Sequence, residues 1–522
     1  MSDRIISLAA LPEQDVFRTG ICVIGSGPGG GIPAAALAEA GHEVLLLEAG
    51  PRMGGGGATL FTHDVDVTGE ADLPFTGTAQ LGGSSNLWAG RIAPLEPVDF
   101  ERRDWVPRSG WPIGVAELPY DRAFGLLTGA SLPLAEAPAL AGFAAACGAD
   151  ALDLKKFYWA SQPFGIAAYL EKAVASSPHL RILLDAPVAE LAEADGGGLI
   201  EAALLRRPDG RTVRVEAALF ILAAGGIETP RLLLSSRGTS PQGIGNAHDL
   251  VGRYLSTHPK ADIATLTLSR RVATDHPLFT DRPQGEGRTR LGLGFGAEAQ
   301  RRLGLVNHYV QLSPFLEYRA SRVFERLRAS DAMRSPLIDR SALARGLLPS
   351  LGLFAFEAIG RFAGLQSRAR VFILRAFLDQ YPNPENRVRL SGERNALGLP
   401  TADLSWSFTA DDRASVIRFL SALDGKLRAH GIGHLDYEAL LAREDDWPLT
   451  GIHSHFMGTT RMGATAREGV VDADCRVFGQ DNLYVAGPSV FPAYGYANPF
   501  LTIAALGLRL ADHLHASLGR SV

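Results

Sequence analysis

Ile21-Cys22-Val23-Ile24 runs directly into Gly25-Ser26-Gly27-Pro28-Gly29-Gly30. An alanine-rich stretch to Ala40 follows, then a second apolar run, Val44 to Leu47, that ends at Glu48. Short apolar runs separated by clustered glycines and a helix-forming stretch predict a strand, a helix and a second strand. The glycines fit G-x-G-x-x-G where that spacing has a mechanism, after a strand and at the start of a helix. There, unhindered backbone N–H groups and the positive helix end face a pyrophosphate. Glu48 lies 23 residues after Gly25, where a carboxylate accepts from the hydroxyls of an adenosine ribose and repels a 2′-phosphate. A glycine turn alone is common, and a strand-ending glutamate often only faces solvent. The register of strand, helix, strand and acid makes the segment a dinucleotide cradle. NAD and FAD share this cradle, so the choice between them comes from elsewhere in the chain.

Around the cradle lie 522 residues, more than the roughly 250 to 300 that one core usually serves, so two or more domains are expected. Hydrophobic residues at 46% and charged residues at 20% supply large cores and exclude wholesale disorder. Lys and Arg number 51 against 56 Asp and Glu, a net charge of -5, which leaves no basic excess for nucleic acid. Cys22, Cys147 and Cys475 are too few for an iron-sulfur cluster or an all-cysteine zinc site, and one disulfide is the most they could form. No metal is expected. The run Ile5 to Pro12 is short for a signal-peptide core and lacks a small-x-small cleavage site, so a cytoplasmic location is expected. The apolar stretch 347–365 is broken by Pro349, Glu357 and Arg361. It reads as a buried or capping helix, with a membrane-surface or dimer contact as the minority reading.

Helical sequence is expected from Pro112 to Ser177 and through the arginine-rich stretch 320–378. Strands are expected at Arg181–Leu184, Leu199–Leu205, Thr212–Val215, Phe220–Leu222, Arg387–Leu390, Asp403–Trp406 and Asn482–Ala486. Three segments carry further chemistry. Leu81-Gly82-Gly83-Ser84-Ser85-Asn86-Leu87-Trp88-Ala89-Gly90 brings close-approaching backbone and hydrogen-bonding side chains together, although a plain Gly-Ser turn would read alike. Ile221 to Pro230 predicts a buried strand, a glycine turn and a helix with Thr229 as N-cap and Pro230 at the first helical position. Near the C-terminus, His453-Ser454-His455-Phe456-Met457-Gly458 and the run Gly487 to Thr502, containing Asn498-Pro499, place imidazoles and an amide in glycine-rich loop sequence.

Together with VGRYLSTHP at 251–259 and HFMGTTRMG at 455–463, these segments resemble, over almost the whole chain, the glucose-methanol-choline (GMC) flavoprotein oxidoreductases. The C-terminal pair is most similar to the pyranose oxidase and bacterial sugar or polyol dehydrogenase branch. The resemblance implies an α/β fold of GMC type, in which a Rossmann-like FAD-binding domain is interleaved with an α+β substrate domain of antiparallel sheet plus helices. Its implied division is 14–112, 180–259 and 448–522 for FAD binding, 113–179 for helices on the substrate side, and 260–447 for substrate.

It implies His455 and Asn498 as the catalytic pair beside the flavin. FAD contacts are implied from Gly25, Gly27, Gly30, Glu48, Gly83, Ser84, Asn86, Trp88, Val188, Ala224, Gly487, Asn498, Pro499 and Thr502. Some sugar oxidases of the family bind FAD covalently through a histidine before the tryptophan of this glycine-serine segment. Leu87 stands there in this chain, so noncovalent FAD is implied. The implied reaction is oxidation of a CH–OH group of a sugar, polyol, glycoside or related alcohol, with electrons passing to oxygen or to a quinone or cytochrome. A non-sugar alcohol enzyme and a flavoprotein lyase of the same family are the alternatives. His455 suits the base because neutral imidazole is abundant at pH 7. His453 and His258 read as structural or packing histidines, and Asn498 also reads as an N-cap before Pro499.

Overall fold

The computed structural model describes residues 4–53, 65–68, 77–131, 152–315, 368–443, 447 and 449–519, with only the backbone of 65–68 and 450–454. Cys147 and the stretch 347–365 lie outside these residues.

Segments far apart in sequence build an eight-stranded sheet. Its order is Ile5–Ser7, Leu180–Leu184, Val44–Leu47, Val16–Ile24, Thr212–Leu222, Ile200–Arg206, Val188–Glu193. The first five strands are parallel, and the last two pairings are antiparallel. Every residue of Val44–Leu47 is buried, as are Cys22, Val23 and Ile24, because both faces of a parallel sheet are covered and its strands become continuous apolar runs. Opposite Val16–Ile24, the strand Thr212–Leu222 has two further partners on its other edge. Its first half pairs with Ile200–Arg206, and Phe220–Leu222 pairs in parallel with Leu483–Val485. That last pairing brings the end of the chain beside the glycines near its start.

A nine-stranded sheet has the order Gly433–Asp436, Ser256–Ala273, Arg368–Phe377, Tyr309–Pro314, Gly287–Phe295, Leu152–Trp159, Arg91–Ile92. Leu449–Met457 also pairs with Ser256–Ala273, and Arg282–Gln284 with Gly287–Phe295. A third sheet joins Arg387–Arg394, Pro400–Ser405 and the backbone of Val65–Thr68. The helix Ala410–Ala429 begins at a capping box in which Thr409 and Asp412 each accept from the other's backbone N–H.

Four elements differ from the sequence expectation. Arg368–Phe377 is a strand, because Phe372, Leu374 and Ala376 are buried in alternation with more exposed neighbours, a period of two that the arginines obscure. Leu152–Trp159 is likewise a strand inside a stretch expected to be helical, and its aromatic end Phe157-Tyr158-Trp159 suits a pleated surface. The helix after Leu222 starts at Gly225, so Pro230 lies inside it. The final helix is Phe500–Gly519, and the Ile503 N–H bonds to Pro499 O, which makes Pro499 the cap residue in place of Asn498.

Cys22 and Cys475 are free and buried. No helix among the described residues is long and apolar enough to cross a membrane.

Candidate functional site

The cradle forms at the C-terminal edge of the parallel strands. Gly25 takes φ 103°, and a Cβ there would lie 2.5 Å from Ala223 O. At Gly30 a Cβ would lie 2.0 Å from Gly25 O, and at Gly29 2.8 Å from Gly487 Cα. At Gly27, which caps the helix Pro28–Glu39, a Cβ would meet nothing within 4 Å, and the same holds at Gly225 and Gly487. The tight glycines fold the turn, and the open ones leave bare backbone facing free space.

Glu48 is buried beside this turn. Its Oε2 accepts from the Ser26 N–H at 3.1 Å and from the Ser26 hydroxyl, and its Oε1 accepts from the Gly50 N–H at 3.0 Å. Burial raises its pKa, and these hydrogen bonds oppose the rise. The Ala49 N–H also stabilises the carboxylate, so Glu48 is held ionised by a ring of backbone and hydroxyl donors. The Ser26 hydroxyl also accepts from the Gly82 N–H at 2.9 Å, tying the cradle to the segment that follows. Ser26 carried no signal in the sequence beyond being an unspecified residue between two glycines.

The expected contact residues converge on this edge. A Cβ at Gly83 would lie 3.2 Å from Gly27 Cα, and Ala224 Cα would lie 3.2 Å from a Cβ at Gly25. Val188 opens its strand two residues after Ala186, whose N–H donates to Glu48 O at 2.9 Å. Other side chains from the same set are engaged within the protein. The Asn86 amide donates to Leu81 O and Gly83 O, at 2.9 and 3.0 Å, and so shapes its own turn. The Ser84 hydroxyl accepts from the Thr78 N–H. Trp88 donates to Phe164 O and stacks on Phe500 at 3.9 Å, which pins this loop to the start of the final helix. The Thr502 hydroxyl bonds Tyr120 at 2.9 Å, which leaves Thr502 its backbone N–H at the helix start.

The histidines sit where the nine-stranded sheet meets the C-terminal loop. His455 lies on Leu449–Met457 and His258 on the neighbouring Ser256–Ala273. Their Nδ1 atoms are 3.2 Å apart, and His258 Nε2 lies 2.9 Å from Gly495 O. A carbonyl only accepts, so His258 carries its hydrogen on Nε2 and its Nδ1 is a lone pair. His455 therefore donates from Nδ1, and its Nε2 is the basic nitrogen. Burial pushes the pKa of His258 down to about 4. Burial, then His258, Lys260 and Arg91, hold that of His455 well below the ordinary imidazole range. Both rings are neutral at pH 7. His258 is therefore the partner of His455 rather than a loop histidine packed under the domain. The backbone of His453 pairs with that of His258, and its side chain lies outside the described residues.

Three backbone bonds hold the stretch after His455 against the C-terminal loop: Gly458 N to Pro488 O, Thr460 N to Ser489 O, and Met462 N to Val490 O. From the other side, the turn at Gly226 presses on it, since a Cβ there would lie 2.1 Å from Phe456 O. Pro230 has no N–H to return to Gly226 O, and the Thr459 hydroxyl occupies that carbonyl at 2.6 Å. Tyr494 is 1% exposed with its hydroxyl on Tyr254 O at 2.7 Å, so it packs beneath the loop. Asn498, three residues beyond Gly495, is half-buried, and its amide forms no hydrogen bond with the described residues.

Comparisons with known proteins agree with this arrangement. Residues 382–507 match the GMC oxidoreductase family model, and residues 23–88 match that of the NAD(P)-binding Rossmann-like domain. The chain is 25% identical to a 6‴-hydroxyparomomycin C oxidase of Streptomyces lividus, over 95% of this chain and 92% of that one. It is 25% identical to a 2-methyl-1,2-propanediol dehydrogenase of Mycolicibacterium austroafricanum, over 95% of each. It is 27% identical to a fructose dehydrogenase large subunit of Gluconobacter japonicus, over 61% of this chain and 51% of that one. The fold matches an FAD-dependent oxidoreductase of Chaetomium thermophilum with TM-score 0.56 and 18% identity, over 96% of this chain and 99% of that one.

The C-terminal part of the chain is thus a GMC oxidoreductase domain.

The GMC oxidoreductase domain supports FAD as the cofactor, and the residues present fit it. Bare backbone at Gly27, Gly225 and Gly487 borders the cradle, and the buried Glu48 carboxylate stands beside its turn. In the first turn of Phe500–Gly519 the leading backbone N–H groups have no intrahelical partner, which gives that end the positive character that stabilises an anionic ring.

Proposed function

We propose that this protein oxidises the CH–OH group of a sugar, polyol or glycoside, with His455 as base and Asn498 holding the alcohol oxygen. The observation that carries the reading is the tautomer chain Gly495 O, His258, His455, which leaves a lone pair on a neutral, interior imidazole. Bound FAD supplies the electron sink for the hydride lost from the carbinol carbon. His455 Nε2 takes the hydroxyl proton, and the Asn498 amide, which forms no hydrogen bond among the described residues, fixes the oxygen. Relatives named as a hydroxyparomomycin oxidase, a propanediol dehydrogenase and a fructose dehydrogenase support the choice of a polyhydroxy substrate. Gly25, Gly27, Gly30, Glu48, Gly83, Val188, Ala224, Gly487, Pro499 and Thr502 would border the cofactor, with Ser84, Asn86 and Trp88 shaping the loop over it. FAD is held noncovalently, since Leu87 offers no ring nitrogen for attachment and acid precipitation should leave the flavin in the supernatant. The electrons leave to oxygen or to a quinone or cytochrome, which a steady-state comparison of oxygen with an artificial acceptor separates.

The test is His455→Ala. It should retain FAD, because the cradle is untouched, and its anaerobic flavin reduction should slow by about 100- to 10,000-fold. Reduction by alcohol at the wild-type rate would sink the assignment. Wild-type FAD that no alcohol bleaches, alongside cleavage of a cyanohydrin, would favour the lyase reading.

A further inference from the structure

Arg91 has an environment that the reaction so far does not use. It opens the strand Arg91–Ile92 and pairs with Trp159 at the edge of the nine-stranded sheet. Its guanidinium lies 3.8 Å from the ring centre of Phe157, 4.7 Å from Phe377, 5.2 Å from Trp159 and 5.5 Å from Tyr309. One of its five N–H donors reaches the Tyr309 hydroxyl. Nε is buried with no hydrogen-bond partner, and no described carboxylate stands within ion-pair distance. Asp281, the acid whose field it feels, is shared between Arg288 and Arg290. An arginine placed only for packing would leave this buried Nε–H unsatisfied, which is costly. Stacking on aromatic faces leaves the guanidinium edge available to a planar anion.

The cage adjoins the histidine pair through two routes. Phe157 and Tyr309 pack edge-on against Tyr496, two residues before Asn498, at 5.5 and 5.1 Å. Phe377 stacks on Tyr309 at 4.7 Å and carries Lys260 Nζ 5.4 Å from its ring centre. Lys260 is two residues after His258 on the same strand, so both point to the same face of the sheet. A second cation therefore stands on the wall between Arg91 and the reacting end.

We propose that Arg91, seconded by Lys260, is the specificity-determining end of the substrate site, and that the alcohol this enzyme oxidises carries an oxyanion, a carboxylate or a phosphate ester. The inference rests on the alcohol-oxidation reading and narrows it: a neutral glycoside leaves the guanidinium unmatched, and an amino sugar is repelled. Charge-assisted contacts at an interior guanidinium should tighten binding by about 10- to 100-fold.

The experiment is anaerobic stopped-flow reduction of the holoenzyme by four matched alcohols: a methyl glycoside, its uronate, its 6-phosphate and its amino analogue. The uronate, the phosphate or both should show a dissociation constant about 10- to 100-fold below that of the methyl glycoside, with the amino sugar weakest. Preference for one of the two anions fixes which oxyanion is meant. In Arg91→Gln the ratio of anionic to neutral dissociation constants should collapse toward one, and Arg91→Lys should restore part of it. Equal binding of neutral and anionic alcohols, or a ratio unchanged in Arg91→Gln, overturns the proposal. If no alcohol bleaches the flavin, the alcohol reading itself has failed. Titration of the flavin absorbance with succinate or inorganic phosphate, in wild type and Arg91→Gln, then tests the anion site alone. A spectral shift lost in the variant supports it, and no shift in wild type refutes it.

Discussion

Replacing His258 separates a positioning role from a merely structural one. In the native arrangement His258 Nδ1 accepts from His455 Nδ1–H at 3.2 Å, while its own Nε2–H is spent on Gly495 O. His258→Leu removes the acceptor, and the His455 ring then populates the other tautomer, which presents an N–H to the alcohol and cannot take its proton. A neutral hydrogen bond is worth about 0.5 to 1.5 kcal/mol net, so the flavin-reduction rate should fall about 2- to 12-fold, far less than in His455→Ala. His258→Asn keeps an amide oxygen near the position of Nδ1, and it should recover most of the rate that leucine loses.

The pH profile gives the second readout. His258 is one of the causes that lower the His455 pKa, after burial. Wild-type reduction should therefore stay flat through pH 6.5 and fail only at lower pH, where the depressed base finally protonates. In His258→Leu one depressing influence is gone, the His455 pKa rises, and the acid limb of the rate moves to higher pH. Stopped-flow reduction of FAD-loaded protein from pH 5 to 8 measures both effects. If leucine and asparagine variants slow equally, or if the acid limb stays where it is, His258 does not act through His455.

Three further outcomes follow from the same contacts. Gly226→Ala would place a methyl 2.1 Å from Phe456 O, and the strand carrying His455 must shift; stability should drop by about 1 to 3 kcal/mol in urea unfolding, with slower flavin reduction. Thr459→Val leaves Gly226 O without the donor that Pro230 cannot supply, costing about 1 to 3 kcal/mol by the same measurement, whereas Thr459→Ser should lose much less. Glu48→Gln turns an amide NH₂ toward either Ser26 N–H or Gly50 N–H, so one backbone donor loses its acceptor. FAD occupancy after dialysis, read as the ratio of flavin to protein absorbance, should fall, and unchanged occupancy would remove Glu48 from the cradle.

The cradle was legible in the sequence because its requirements are local. Gly25 and Gly30 exclude side chains through backbone atoms a few residues away or on the adjoining strand end, and spacing along one strand and helix records that. The histidine pair was legible only in half. His455 could be chosen by resemblance, but its tautomer is set by His258, 197 positions away, and nothing in Ser256-Thr257-His258-Pro259 marks a histidine whose Nδ1 must be a lone pair. Thr229-Pro230 misled for a related reason. Locally it has the form of a cap followed by a first helical residue, yet the helix begins at Gly225 and carries the proline inside it. The cost of a missing N–H is real, and it is met at Gly226 O by Thr459, 233 positions from that glycine, so the local rule was overridden by a tertiary contact. Gly226 cannot carry a side chain because Phe456 O presses on it, and Gly226 O is held by Thr459, two residues past the end of that strand. One glycine thus fixes both the start of the helix beside the cradle and the course of the strand that carries His455. The position of the base relative to the dinucleotide edge is in this way a property of that contact, which explains why the site's geometry could not be read from either segment alone.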